Sequence, residues 1–323
     1  MTTVTLLLAV SLSLDGAWNL SYFRQPDAAP VRNLPVPSCV EMRRVSATVP
    51  GNCELDLIQA GLLPPAEIGM NVLKLRDYEG HQWLYTKTFA KPPMAKGERA
   101  ILRFDGVDTL GDVFLNGAKV GEVANMLIPH EFNVTKLLKD GENTVQVLLR
   151  SVRCEAQYAT LGELGYSMGG GADGEPFRKA GHMAGWDIFP RVFCAGLWRG
   201  VSIDVQKPVR IDQTAWIIKK LGKTWADIQV NCRVQAPYRW VNNAELRYSI
   251  AKGGKVVAER RAPFDRYQNC ASYWNVSGIE RWWPKGMGAQ PLYDAKIEVI
   301  AKDGTVLAEH VEKIGFRTIR LER

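Results

Sequence analysis

Polar and apolar residues alternate through segment after segment of this chain, as in HQWLYTKTF (81–89), RAILRFDGV (99–107), NTVQVLLRSV (143–152), DIQVNCRVQA (227–236) and AELRYSIAK (244–252). A period of two sends successive side chains to opposite faces, so each segment reads as a strand with one buried side. LGDVFLNGAKVGEV (110–123), WRGVSIDV (198–205) and YDAKIEVIAKDGTVLAEHV (293–311) continue the pattern, bounded by Gly, Pro, Asn or Asp. Asn116-Gly117 and Asp303-Gly304 sit between strand-like flanks and predict hairpin turns, because these pairs accept positive φ. Helical spacing is limited to short stretches near Cys53–Leu62 and Val134–Leu138. Many short strands joined by close turns predict an all-β chain built from sandwiches.

The strand pattern is interrupted at Pro208, where the charge balance also changes. Residues 1–208 are expected to form a larger sandwich, and 209–323 have the size of a seven-strand immunoglobulin-like domain. The longest irregular region, Tyr158–Pro190, is of a length that usually carries function or moves. The apolar start, MTTVTLLLAVSLSLDGAWNL, has signal-peptide length but no basic leader; it is read as running into a first strand over Leu14–Phe23, with a signal peptide as the alternative. The chain is accordingly expected in the cytoplasm, with secretion or the periplasm as alternatives.

Of 323 residues, 46% are hydrophobic and 23% charged, ordinary for globular domains. No run of eighteen apolar residues is present to cross a membrane as a helix. The formal charge of +7 comes from one region: Lys207–Arg261 holds twelve Lys or Arg against four Asp or Glu, while the remainder holds 29 against 30. These charges alternate with apolar residues, as on a half-exposed strand, so a solvated face is favoured over a nucleic-acid surface. The six cysteines are scattered without a C-x-x-C pair and read as packed thiols. Cys232 and Cys270 flank Trp240 and faintly suggest an immunoglobulin bridge, although Gln268 stands where its tyrosine would be.

No P-loop, G-x-S-x-G or H-E-x-x-H motif occurs, and His81, His130, His182 and His310 are far apart. No catalytic residue, metal site or cofactor is therefore assigned. GHMAGWDIFPRVFCAGLWRGVSI (181–203) offers different chemistry. An indole face such as that of Trp186 packs on the C–H face of a sugar, and a carboxylate such as Asp187 accepts from two adjacent hydroxyls. Consecutive residues share one side only where the backbone leaves the pleat, which Gly185 and Pro190 permit. A core Trp186 beside a turn-capping Asp187 fits the residues equally well. Arg191–Ile203 reads as strand and core.

GWDIFPRVFCAGLWRGVSI resembles the segment near the end of the first domain in β-mannosidases of glycoside hydrolase family two, where Gly-Trp-Asp-Trp-Gly-Pro-Arg precedes Gly-Ile-Trp-Arg. WLYTKTF (83–89), DLIQAGLLPPAEIGMN (56–71) and residues 102–149 resemble that family's sugar-binding jelly-roll domain, in the same order. RWWPKGMGAQPLYDAKIEVI and IGFRTIRL resemble the close of its immunoglobulin-like domain. The resemblance implies a galactose-binding-like jelly roll over 1–208, an immunoglobulin-like sandwich over 209–323, and hydrolysis of terminal β-mannosides or related glycosides by two glutamates on a following (β/α)₈ barrel. This sequence holds no Asn-Glu dipeptide of the family's acid/base type and no barrel pattern.

The expectation is thus a non-catalytic portion of such an enzyme, with Trp186 and Asp187 contacting the sugar and the sandwiches supporting the barrel. Ile188-Phe189 replaces the family's second Trp and Gly, which bears on the pocket's shape. Asp112, Asn116 and Gly117 also match the family and are read as structural; Trp282, Trp283 and Pro284 are read as core and junction packing. A free-standing carbohydrate-binding module and a β-sandwich adhesion or scaffold protein are the alternative functions.

Overall fold

A computed structural model describes residues 11–27, 29–159, 176–185, 187–264 and 269–321, with the backbone alone for 269–271. Trp186, most of the 158–190 segment and the first ten residues lie outside the described residues. The chain divides into two compact units, Met1–Gln206 and Lys207–Arg323.

The first unit is a sandwich of two antiparallel sheets. One holds β1 (Ser11–Ser13), β10 (Val201–Gln206), β5 (Arg99–Phe104) and β8 (His130–Asn133), in that order. The other runs β3 (Arg43–Val49), β2 (Gly16–Arg24), β4 (His81–Ala90), β9 (Glu142–Leu149), β6 (Gly111–Leu115) and β7 (Ala118–Val123). Trp18, Leu20, Tyr22, Trp83, Tyr85, Val145 and Val147 point inward at alternate positions and meet Leu102, Phe104 and Ile203 of the facing sheet. A short helix, α1 (Cys53–Gln59), starts where the Asn52 side chain accepts from the Leu55 amide at 2.9 Å. A second, α2 (Val152–Ala156), is capped by Ser151 in the same way.

The Asn116-Gly117 turn forms as expected, with φ of 53° and 82°, and joins β6 to β7. Asn116 does more than turn the chain: its amide donates to Leu137 O and Asn143 Oδ1, and its carbonyl accepts from the Thr144 amide. Asp112 is fully buried between Arg150 and Lys119, again a structural role. Val134–Leu138, which carries helical spacing, makes only one turn closed by the Leu137 amide on Val134 O. The strand expected over Leu14–Phe23 forms as β2 but starts two residues later, at Gly16, where φ is 93°.

The second unit has seven strands among the described residues. β11 (Arg210–Leu221), β12 (Trp225–Gln235) and β15 (Asn269–Ser277) form one sheet; β14 (Lys255–Pro263), β13 (Ala244–Lys252), β16 (Tyr293–Ala301) and β17 (Val306–Ile314) form the other. Ile228, Val230, Leu246, Tyr248, Ile297 and Phe316 fill the space between them. Cys232 and Cys270 are register partners on neighbouring strands of one sheet, whereas an immunoglobulin bridge joins two sheets. Trp282 and Trp283 are half-buried within this unit, against Gly315 and beneath Arg317 respectively. Of the twelve basic residues in 207–261, Arg210, Arg247, Lys252 and Arg261 carry ion pairs, so part of the local excess is neutralised in place. No helix among the described residues is long and apolar enough to cross a membrane.

Candidate functional site

The 181–203 segment is not a strand until Val201. Residues 191–200 instead form an irregular run whose backbone bonds go to scattered partners. The Val192 amide donates to Met183 O, the amides of Cys53 and Gly51 donate to Ala195 O and Leu197 O, and Gly196 exchanges two bonds with Asp108. Phe193, Cys194 and Leu197 are buried along it, which explains its strand-like sequence. Gly196 allows close approach: a Cβ there would lie 2.7 Å from Asn52 Cα and 2.7 Å from Gly51 O.

The Met183–Val192 bond closes a loop whose described tip, Asp187–Pro190, is exposed. Ile188 is 87% exposed and Phe189 41%, the latter edge-on to the His182 ring at 5.4 Å. Gly185 enters the loop at φ 104°, a conformation that favours glycine, and its α-carbon faces the Arg191 backbone. At the exit, Arg191 donates Nε to Glu79 Oε1 at 2.7 Å and Nη2 to Glu79 Oε2 at 2.9 Å. Its guanidinium also lies 4.7 Å from the centre of the Phe193 ring. Leu110, Val152, Ala184 and Phe193 form a small core under this base. The exposed residues 187–190 thus stand on a fixed base, with Asp187 at the surface.

Behind the base lies a buried polar layer. Lys179, with its side chain fully buried, donates to both Asp108 oxygens at 2.6 and 2.8 Å and to Cys194 O at 2.6 Å. This ties the 191–200 run to the loop before β6. Glu54 is buried beside Cys53, whose thiol donates to it at 3.2 Å, and burial raises its carboxyl above the usual range. Burial likewise pushes the Cys53 and Cys194 thiols upward, so neither is an activated nucleophile. Among the described residues, no three His, Cys, Asp or Glu side chains are placed to hold a metal ion.

Sequence reasoning singled out Trp186 and Asp187 but not Glu79, Lys179 or Asp108, which fix the surrounding backbone. Glu79 precedes β4 and Arg191 lies 112 residues later, so no local pattern links them.

Residues 27–199 match the galactose-binding-like domain of glycosyl hydrolase family 2, and residues 209–317 match a second domain of the same family. The chain belongs to glycosyl hydrolase family 2. It is similar to β-mannosidase B of Thermothelomyces thermophilus, 30% identical over 316 residues that cover 97% of this chain and 35% of that protein. β-Mannosidase B of Aspergillus terreus is 29% identical, with coverage of 84% and 32%. Among solved structures, a β-D-mannosidase from Dictyoglomus thermophilum superposes with a TM-score of 0.74 at 29% identity, covering 97% of this chain and 37% of that one. A β-glucuronidase from Bifidobacterium dentium shares the fold, at a TM-score of 0.67 and 24% identity. The chain spans about a third of the length of the curated relatives it matches.

Proposed function

We propose that this chain is the non-catalytic, substrate-binding portion of a β-mannosidase-like glycoside hydrolase, its jelly roll over 1–208 and immunoglobulin-like sandwich over 209–323 supporting a catalytic (β/α)₈ barrel. The observation that carries this reading is the 184–192 loop: an exposed tip bearing Asp187, on a base locked by the Glu79–Arg191 pair. A fixed base restricts the loop that carries this carboxylate, which can accept from two neighbouring hydroxyls of a terminal β-mannoside, and so lowers the cost of ordering the loop on binding. Trp186 is assigned the apolar face of the sugar beside it. Retaining cleavage needs two carboxylates about 5–5.5 Å apart, and these are assigned to the barrel.

The test places Asp187→Ala in a protein that carries this chain ahead of its barrel. Loss of a charged hydrogen-bond partner is expected to lower kcat/KM for an aryl β-mannoside by about tenfold or more, with thermal stability unchanged. An unchanged kcat/KM removes Asp187 from the substrate site.

A further inference from the structure

The six-stranded sheet of the first unit presents its outer face to a groove of about 1070 Å³. Alternation along β2 sends Trp18, Leu20 and Tyr22 into the core and leaves Asn19 and Ser21 on this outer side. Strand register then aligns Ser46, Asn19, Thr86 and Gln146 in one row across β3, β2, β4 and β9. Neighbouring strands lie about 4.8 Å apart, so the row offers a hydroxyl or amide at that interval over about 14 Å. Among the described residues, none of these four side chains nor Ser21 has a hydrogen-bond partner.

A solvated sheet would explain the polar floor but not the wall beside it. Residues 29–42 are fastened along this face by several means. Buried Gln82 bonds both the amide and the carbonyl of Val31, at 2.7 and 2.9 Å, and Arg32 pairs with Glu155 at 3.1 Å. Val31, Leu34, Val36 and Val40 pack on Phe23, Leu84, Phe114 and Leu148. Leu34 and Val36 therefore flank the row as a held apolar wall, which Pro35 and the exposed Met42 extend. The groove has one charged lining side chain among the described residues, the exposed Arg44.

A neutral polar row beside a fixed apolar wall complements a sugar chain, which carries hydroxyls around its rings and C–H groups on their faces. Its length exceeds one ring, and its near-neutrality gives a polyanion little to hold. We propose that this groove binds an extended neutral oligosaccharide, as a site separate from Asp187, with no lining residue in the 176–200 segment.

The test is a titration of the ¹⁵N-labelled 323-residue chain with β-1,4-mannotetraose and with cellotetraose, following side-chain amide resonances. The Asn19 and Gln146 amides are expected to shift saturably with at least one of the two sugars. The Thr86→Val/Gln146→Leu pair, partly exposed and uncharged, is expected to weaken binding about tenfold with the fold intact, whereas Asp187→Ala leaves it within twofold. Amide resonances that stay still at millimolar concentrations of both sugars would overturn the proposal, as would binding abolished by Asp187→Ala. Because the groove is read through Asn19 and Gln146, failure of the Asp187 assignment leaves this result unaffected.

Discussion

The Glu79 carboxylate grips the Arg191 guanidinium at two points, 2.7 and 2.9 Å apart, across 112 residues of sequence. Glu79 is 5% and Arg191 13% exposed at the side chain, so the pair is shielded from water on both sides. Removing the Glu79 charge takes two charge-assisted hydrogen bonds from Arg191.

Glu79→Gln is therefore predicted to destabilise the first unit by about 1–3 kcal/mol. Amide exchange should quicken at Gly185 and Val192, whose N–H groups bond His182 O and Met183 O at the loop's base. Chemical denaturation and hydrogen exchange measure the two effects. A stability loss with unchanged exchange at these amides would mean that the pair supports the sandwich without ordering the loop.

Gly196→Ala tests the packing of the 191–200 run on the start of α1. The new Cβ would meet two backbone atoms, Asn52 Cα and Gly51 O, each at 2.7 Å, and neither can rotate away. A loss of about 1–3 kcal/mol is expected in chemical denaturation. A neutral substitution would show that the two backbones are further apart.

These two sites also show what the sequence could and could not reveal. Asn116-Gly117 was legible because its positive φ values are a local matter of two residues. The inward face of β4 was legible because Trp83, Tyr85 and Phe89 keep a period of two. The 191–200 run misled because its buried Phe193, Cys194 and Leu197 mimic a strand, while its backbone bonds go individually to Met183, Asp108, Gly51 and Cys53. The Glu79–Arg191 pair had no signal: both residue types are usually exposed, and only the fold brings them together. Trp186 and Asp187 could be named from the GWDIFPR motif; the exposure of the tip around Asp187 required the structure.

A pH effect follows from Asp56 in α1. One carboxyl oxygen accepts from the Thr48 amide at 3.0 Å, but burial pushes its pKa from 3.8 up to about 6. The folded chain thus holds this proton more tightly than the unfolded one does. Its penalty on stability is absent below about pH 4, grows as pH rises, and is complete above about pH 6. Asp56→Asn keeps the acceptor for Thr48 and removes the charge. Thermal denaturation should show the variant's midpoint, relative to the parent, higher at about pH 8 than at about pH 4. The reverse trend would mean that the carboxylate is stabilised by its surroundings.

The division of labour between binding and cleavage is the central claim, and hydrolysis of an aryl β-mannoside by the 323-residue chain tests it most directly. The account predicts release of the aryl group no faster than in buffer, for the parent chain and for Asp187→Ala alike. Turnover by the parent chain that Asp187→Ala abolishes would contradict it, by placing the catalytic machinery in these two sandwiches.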